Sequence, residues 1–147
     1  MIDMKYFRNL AYIMKHKWRI LKICWKEKLF WQGIIHDWSK FHPIEFIPYA
    51  NRFFSNRSLT PIQEQQWQKA LLHHYQKNKH HWNHWVVDQK EKKAIRIPEK
   101  YIVEMVCDWR AMNPADPDDS KQWYQKKQHK MILDPESRKL LEKILEI

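Results

Sequence analysis

The sequence predicts an all-α protein that folds as one compact domain of six to seven helices over residues 1–147. Three observations lead to this prediction. Apolar residues recur at three- and four-residue steps along several segments, helix-capping residues precede some of those segments, and the chain contains a single glycine, Gly33. Because the tight turns of β-hairpins favour glycine, its scarcity argues against a hairpin-rich β protein.

Three helical patterns are predicted in the first part of the chain. One runs from Met4 to about Lys28 and a second from Leu29 to about Lys40. His42-Pro43 then marks a break, because a residue that precedes proline disfavours helical backbone. A third pattern covers Ile44 to Phe54. The apolar positions that indicate an amphipathic first helix are Tyr6, Leu10, Ile13, Met14, Ile20, Leu21, Cys24 and Trp25.

A capping box predicts where the fourth helix begins. Thr60 can cap the helix, Pro61 occupies its first turn, and Gln63 completes the box. We expect this helix to run past His74 and to bend near Asn78.

The last third of the chain holds a charged loop, Asp88 to Arg96, and three more helical segments. Pro98-Glu99 begins a helix that continues through Met112. A turn-rich stretch, Asn113 to Asp119, precedes a short aromatic helix around Trp123-Tyr124. Asp134-Pro135-Glu136 caps a final helix that ends at Ile147. Seven helical segments and no convincing strand result.

Composition excludes several classes of site. A single glycine argues against a Rossmann-type phosphate loop and a P-loop, which need several glycines for close backbone approach. The two cysteines, Cys24 and Cys107, are far apart in apolar helical patterns, which favours free buried thiols over a disulfide. No closely spaced cysteine pair offers a thiolate zinc site.

The net charge of +10 indicates either a polyanionic partner or a solubilising coat of basic residues. A nucleic acid, a nucleotide or a membrane surface would each satisfy the first alternative. The sequence contains neither a signal-peptide pattern nor an apolar span of about 20 residues. We therefore expect a cytoplasmic protein with no membrane partner.

Histidine is abundant and unevenly placed. Five of the nine histidines crowd a short stretch: His73, His74, His80, His81 and His84. If that stretch were helical, the first, third and fifth would share one face, and the other two a neighbouring face. Imidazole and carboxylate together suit Zn, Mn, Fe or Ni. The alternative is a solvated helix face or stacked aromatic residues.

The residues that carry chemistry come in the order His16, His36-Asp37, His74, His80, His81 and Asp108. This order resembles the HD superfamily of metal-dependent phosphohydrolases, whose fold is all-helical. The resemblance implies that four of the residues bind one metal ion, namely His16, His36, Asp37 and Asp108. It also implies that His74, His80 and His81 bind a second ion or the substrate phosphate. The expected cofactor is therefore one or two divalent ions of Mn, Fe, Co, Ni or Zn.

The chain is more closely similar to an uncharacterised HD-like family of bacteria and their phages. This likeness runs from the first helix to about Leu133. The stretches that carry it are His36 to Phe41, Glu45-Phe46 with Tyr49, His74 to Trp85, Glu104-Met105 and Cys107-Asp108-Trp109.

Further roles follow if the site is of this kind. Asp37 could accept a proton from the attacking water as well as bind metal. Lys40 either neutralises a substrate phosphate or is a surface lysine at a helix end. Glu104, one turn before Asp108, either binds the ion or orients a ligand histidine. Asn78 either hydrogen-bonds the phosphate, beside His80 and His81, or simply ends the helix.

The function predicted on this basis is hydrolysis of a nucleotide or another phosphate ester, as a phosphomonoesterase or a phosphodiesterase. The expected partner is a phosphate-containing small molecule, and the net charge also admits nucleic acid. The alternative is a non-catalytic, metal-containing module that binds nucleic acid or a signalling nucleotide, of a kind that a phage could encode. A purely structural metal site is the third interpretation.

Overall fold

The structure is a computed structural model that describes residues 4–116 and 118–147. Seven α-helices make up most of this part of the chain, which confirms the all-α prediction. They are α1 (Met4–Lys26), α2 (Phe30–Ile35), α3 (Pro43–Phe54), α4 (Pro61–Lys77), α5 (Glu99–Met112), α6 (Asp119–Lys127) and α7 (Pro135–Leu145). Short 3₁₀ helices cover Trp38–Phe41, Trp82–Trp85 and Gln128–Lys130.

Local capping signals place two helix starts as predicted. The Gln63 N–H donates to Thr60 Oγ1 over 3.3 Å, and the Thr60 N–H donates to Gln63 Oε1 over 2.9 Å, so the capping box is complete. At α7, Asp134 Oδ1 accepts from the backbone N–H groups of Glu136 and Ser137, at 3.1 Å each. Both caps satisfy N–H groups that a helix start leaves without a partner.

The predicted end of the second helix is wrong. We expected helix to about Lys40, but α2 ends at Ile35. The ammonium of Lys17 donates to the carbonyls of Ile34 and His36 at 3.0 and 2.8 Å, which satisfies the carbonyl groups at this helix end. The partner comes from α1, so no local pattern in α2 could indicate the stop.

The histidine-rich stretch is not one helix, which corrects the expected shared faces. Helix α4 ends at Lys77 with Asn78 as its C-cap, so His80 and His81 lie beyond it. The charged loop also contains a strand: β2 (Lys93–Ala94) pairs antiparallel with β1 (Val86–Asp88). This short hairpin is a small exception to the expectation of no strand.

Two apolar clusters hold the helices together. The larger lies between α5, α6 and α7 and contains Ile97, Ile102, Met105, Val106, Tyr124, Met131, Leu141 and Leu145. The smaller joins α1 to α5 through Ile20, Cys24, Cys107 and Ala111. Both cysteines are free and buried, as expected.

Gly33 allows α2 to approach α1 closely. A Cβ at this position would lie 3.1 Å from Cys24 Cβ and 3.3 Å from Leu21 Cα. The second of these atoms is backbone, so it cannot move aside as a flexible side chain can. This contact fixes how far the end of α2 lies from α1.

We expect Gly33→Val to lower the free energy of unfolding by about 2 kcal/mol, because a branched side chain would force the two helices apart. Urea unfolding followed by circular dichroism measures the change. The matched control is Ile34→Val on the exposed side of the same helix, expected to change stability by less than about 0.5 kcal/mol. Equal stability of Gly33→Val and wild type would contradict the close approach.

Candidate metal centre

The backbone between α2 and the following 3₁₀ helix turns sharply at His36-Asp37. His36 is extended, with φ −48° and ψ 128°, and Asp37 is left-handed, with φ 52° and ψ 26°. Aspartate tolerates the left-handed region better than most residues that have a side chain. The turn directs two successive side chains to one place, and both are almost completely buried.

One group of ligand atoms lies around Asp108 of α5. Its Oδ1 atom is 3.0 Å from Nε2 of His16 and 3.5 Å from Nε2 of His36. The same His36 nitrogen lies 3.5 Å from Oδ2 of Asp37. The ligand atoms of His16, His36 and Asp108 all lie within 4.8 Å of one another, which suits a shared cation.

A second group lies on the other side of Asp37. Its Oδ1 atom is 3.4 Å from Nε2 of both His74 and His80. His81 completes this group, with its Nε2 atom 2.8 Å from Nε2 of His74. Asp37 belongs to the second group through Oδ1, and its Oδ2 atom lies beside His36 of the first group, so the two groups adjoin at this residue.

Four buried atoms of these two groups have no hydrogen-bond partner: His16 Nε2, His36 Nε2, His80 Nε2 and Asp37 Oδ1. Buried polar atoms in folded proteins are normally paired. The His16 nitrogen does lie near Asp108, but outside hydrogen-bonding geometry. Imidazole nitrogens and carboxylate oxygens that point at one another are the donors that Zn, Mn, Fe, Co and Ni accept. The residues present therefore fit a divalent metal ion.

Glu104 orients two of the imidazoles. The Nδ1–H of His36 donates to Glu104 Oε1 over 2.9 Å, and Nδ1 of His80 lies 3.2 Å from the same oxygen. With Nδ1 engaged in this way, each ring in its neutral form would direct its Nε2 lone pair toward a bound ion. Burial opposes ionisation of Glu104, but the hydrogen bonds from His36 and His80 outweigh it and lower the pKa of the carboxyl group.

Glu45 orients two imidazoles of α4 in the same way. Its Oε2 atom is 2.8 Å from Nδ1 of His74, and its Oε1 atom is 2.6 Å from Nδ1 of His73. Of these two histidines, His74 belongs to the second ligand group and His73 does not. Glu45 itself is fully buried. The histidines that contact Glu45 lie on another helix, so its neighbours along the sequence do not indicate this buried role.

Lys40 supplies positive charge next to the shared carboxylate. Its Nζ atom is 2.6 Å from Asp37 Oδ2. Burial disfavours the ammonium, but the charge of Asp37 raises the pKa of Lys40 above its ordinary value. Burial likewise disfavours ionised Asp37, yet His36 and Lys40 hold the pKa of its carboxyl group well below its usual range.

Asn78 links the elements around the centre. Its side-chain amide donates to Ser39 Oγ over 2.7 Å and to the His74 carbonyl over 2.8 Å. It therefore connects the end of α4 to the 3₁₀ helix that follows Asp37.

His84 does not share a face with His73 and His80, as the helical prediction had it. Its Nδ1 atom lies 3.0 Å from the Tyr75 carbonyl oxygen.

Two cavities reach the centre. One has a volume of about 330 Å³, and aromatic side chains such as Tyr12, Tyr49 and Phe53 line part of it. The rest of its lining includes residues of the centre and the adjacent lysine, namely His16, Asp37, Lys40, His74, His81 and Asp108. The other, of about 380 Å³, touches His80, His81 and Asp108. Its remaining lining includes Trp109, Trp123, Lys127 and Lys130.

The fold and the centre define an all-α protein with a buried cluster of histidine and carboxylate groups placed to bind metal. A model of DUF5662, described as a family of unknown function, matches residues 5–147. The chain therefore belongs to that family. No curated protein and no solved structure matches the chain.

The metal-free protein should lose stability in alkaline solution because of His36. Burial alone would lower the pKa of His36, but Asp37, Asp108 and Glu104 raise it to about 10, from 6.5 for an unperturbed histidine. A group whose pKa is higher in the folded state stabilises that state fully at pH values below its unfolded-state pKa. This stabilisation is lost as the pH rises through its folded-state pKa. We expect the free energy of unfolding in chelator to fall between pH 6.5 and about 10.

Urea unfolding across this pH range measures the effect. With Zn²⁺ or Mn²⁺ present the decline should disappear, because a metal ligand is the neutral imidazole at either pH. Identical pH profiles with and without metal would contradict metal binding at His36.

Proposed function

We propose that this protein is a metal-dependent phosphohydrolase that acts on a nucleotide or another phosphate ester. The observation that carries the proposal is the pair of ligand groups that adjoin at Asp37. Two-metal centres of this general kind occur in many enzymes that cleave phosphate esters. The order of the ligands along the chain, which resembles that of the HD superfamily, supports the same proposal.

The residues around the centre have distinct roles in this proposal. A divalent ion bound there supplies Lewis-acid activation of water and of a phosphoryl oxygen. Asp37 would hold the ions, because its low pKa keeps the carboxylate ionised, and the same low pKa makes it a weak acceptor for a proton of the attacking water. Lys40, on the wall of the 330 Å³ cavity, offsets negative charge that develops on the phosphate. His80 and His81 border the second cavity and can also contact substrate.

Glu104 and Asn78 act through other residues in this proposal. Glu104 is 4% exposed and lies behind His36 and His80, so it orients ligands rather than touching substrate. The amide group of Asn78 is already engaged by Ser39 and by the His74 carbonyl. In this proposal it positions His74, and of the two roles that the sequence left open for Asn78 the helix end is the one it has here.

The cavities favour a substrate with an organic group attached to the phosphate. Aromatic walls such as Tyr12 and Phe53 offer apolar contact on one side of the centre. On the other side, Trp109 and Trp123 lie with ring centroids 4.8 Å apart, and Lys127 and Lys130 add positive charge. Nucleotides combine a planar ring with phosphate, and the net charge of +10 would speed their encounter at low salt.

We expect His36→Ala and Asp37→Ala to lose bound metal and to lower turnover by at least about a thousandfold, since activation of water at neutral pH depends on the ion. Elemental analysis and a hydrolysis screen of mononucleotides, dinucleotides and cyclic dinucleotides measure the two effects. The matched control, His129→Ala, removes an exposed histidine and should retain metal and turnover.

Full turnover in folded His36→Ala protein would overturn the proposal. Tight ligand binding by the wild-type protein without product would favour the non-catalytic module instead. A steep loss of that binding with salt would then indicate many phosphate contacts.

Glu104→Gln tests the orienting role. We expect metal affinity to fall about 10- to 100-fold, because the second partner of His36 and His80 becomes neutral. Turnover should recover when metal is saturating, since Glu104 does not touch substrate. Glu27→Gln is the control, because Glu27 is an exposed residue that pairs with Arg110 at 3.8 Å. A loss of turnover that excess metal does not restore would assign Glu104 a direct catalytic role.

A further inference from the structure

Helix α1 carries an apolar row that the core does not use. Its buried face, directed toward α3 and α5, consists of Asn9, Ile13, His16, Ile20 and Cys24. A separate row of exposed apolar residues consists of Phe7, Leu10, Met14, Trp18 and Trp25. Steps of three, four and seven residues place these side chains on one face of a helix. Trp18 and Trp25 are each 61% exposed.

The exposed row continues onto the next element. The ring of Trp25 lies 4.5 Å from that of Phe30 at the start of α2. Trp31 is 72% exposed, and Trp38, after Asp37, is 65% exposed. We call the whole surface the α1–α2 apolar face, formed by Phe7, Leu10, Met14, Trp18, Trp25, Phe30, Trp31, Ile34, Ile35 and Trp38. Scattered exposed apolar residues are normal, but ten of them on adjoining elements are typical of an interaction surface.

All the charged residues of α1 are basic. Between Met4 and Lys26 it has seven lysine and arginine residues and no aspartate or glutamate. Some of these cations border the apolar face directly. The ammonium of Lys22 lies 5.7 Å from the centroid of the Trp18 ring, and that of Lys17 lies 5.4 Å from the centroid of the Trp38 ring. The surface therefore combines exposed indoles, aliphatic side chains and positive charge.

Charge and chemistry together select the partner. A second copy of α1 would bring one set of cations against another, with no carboxylate on either helix between Met4 and Lys26, which disfavours pairing of two such helices. Single-stranded nucleic acid would stack on the tryptophans but has no use for the aliphatic Leu10, Ile34 and Ile35. An anionic lipid surface uses all three features, because tryptophan prefers the headgroup region, aliphatic groups enter the acyl boundary, and lysine pairs with lipid phosphate.

We propose that the α1–α2 apolar face binds the surface of a bilayer that contains anionic phospholipids. This binding needs no membrane-crossing segment, and no helix in residues 4–116 and 118–147 has the length and apolarity for one. It revises the expectation of no membrane partner, which rested on the lack of such a segment. The inference does not depend on the proposed phosphohydrolase activity.

The test uses the full chain with vesicles of phosphatidylcholine, either alone or mixed with phosphatidylglycerol. We expect co-sedimentation with the anionic vesicles only, together with a shift of tryptophan emission to shorter wavelength as indole rings leave water. Equal binding to neutral vesicles, or no binding to anionic ones, overturns the proposal.

Two pairs of variants locate the contact. Trp18→Ser with Trp31→Ser should weaken vesicle binding at least about tenfold, because two large apolar groups are removed from the lipid interface. The control is Ile62→Ser with Val87→Ser, which removes apolar groups that are 70% and 62% exposed elsewhere on the surface. Binding by the control pair should match wild type. Equal losses in both pairs overturn the assignment to this face.

A second comparison tests the charge. Lys22→Glu with Lys26→Glu should weaken binding at least about 25-fold, given the usual attraction of a lysine to an anionic surface. Lys69→Glu with Lys90→Glu makes the same change in net charge at exposed positions on other elements and should have a much smaller effect. Equal effects would mean that net charge alone drives the binding, and would overturn the proposal.

Sedimentation equilibrium and binding of a single-stranded oligonucleotide complete the test. If the wild type forms a dimer that the tryptophan variants abolish, a second copy covers this face and the proposal fails. It fails equally if the tryptophan pair abolishes oligonucleotide binding while vesicles are not bound. Circular dichroism of each variant shows that the loss does not come from unfolding.

Discussion

The buried carboxylate of Asp37 is the constraint on which the centre depends. An ionised carboxylate at 2% exposure is unfavourable unless positive or hydrogen-bonding groups surround it. Here Lys40 pairs with Oδ2, and His36, His74 and His80 lie within 3.5 Å of the carboxylate from three separate parts of the chain. Burial of this one charge therefore fixes the relative positions of the α2 end, the α4 end and the segment that follows α4.

Regular structure gives way wherever the centre requires it. Helix α2 stops at Ile35 so that the next two residues can turn inward, and Asp37 adopts a left-handed backbone that costs conformational energy. Helix α4 stops at Lys77, and the chain then brings His80 and His81 back beneath His74. A straight helix through this stretch would have spread the histidines along its length. The irregular segments thus concentrate ligand atoms that helical spacing would have kept apart.

Sequence alone predicts the features that depend on neighbouring residues. The caps at Thr60 and Asp134 were predictable because each donor and acceptor lies within three residues. The stop of α2 was not, because its capping group is Lys17 on another helix. The buried role of Glu45 was hidden for the same reason. Ligand residues could be anticipated from their type and order along the chain, whereas the orienting contacts of Glu45 and Glu104 are set by helix packing.

Helix α1 shows why the periodicity of apolar residues is an incomplete guide. Leu10, Met14 and Trp25 fit the amphipathic pattern as well as Ile13 and Ile20, yet the first three are exposed and the last two are buried. The pattern is really two rows, one directed to the core and one to the outside. The inner row delivers His16 to the centre and so cannot rotate outward. Because the inner row is fixed, the outer row has to remain at the surface, where only a partner can remove it from water.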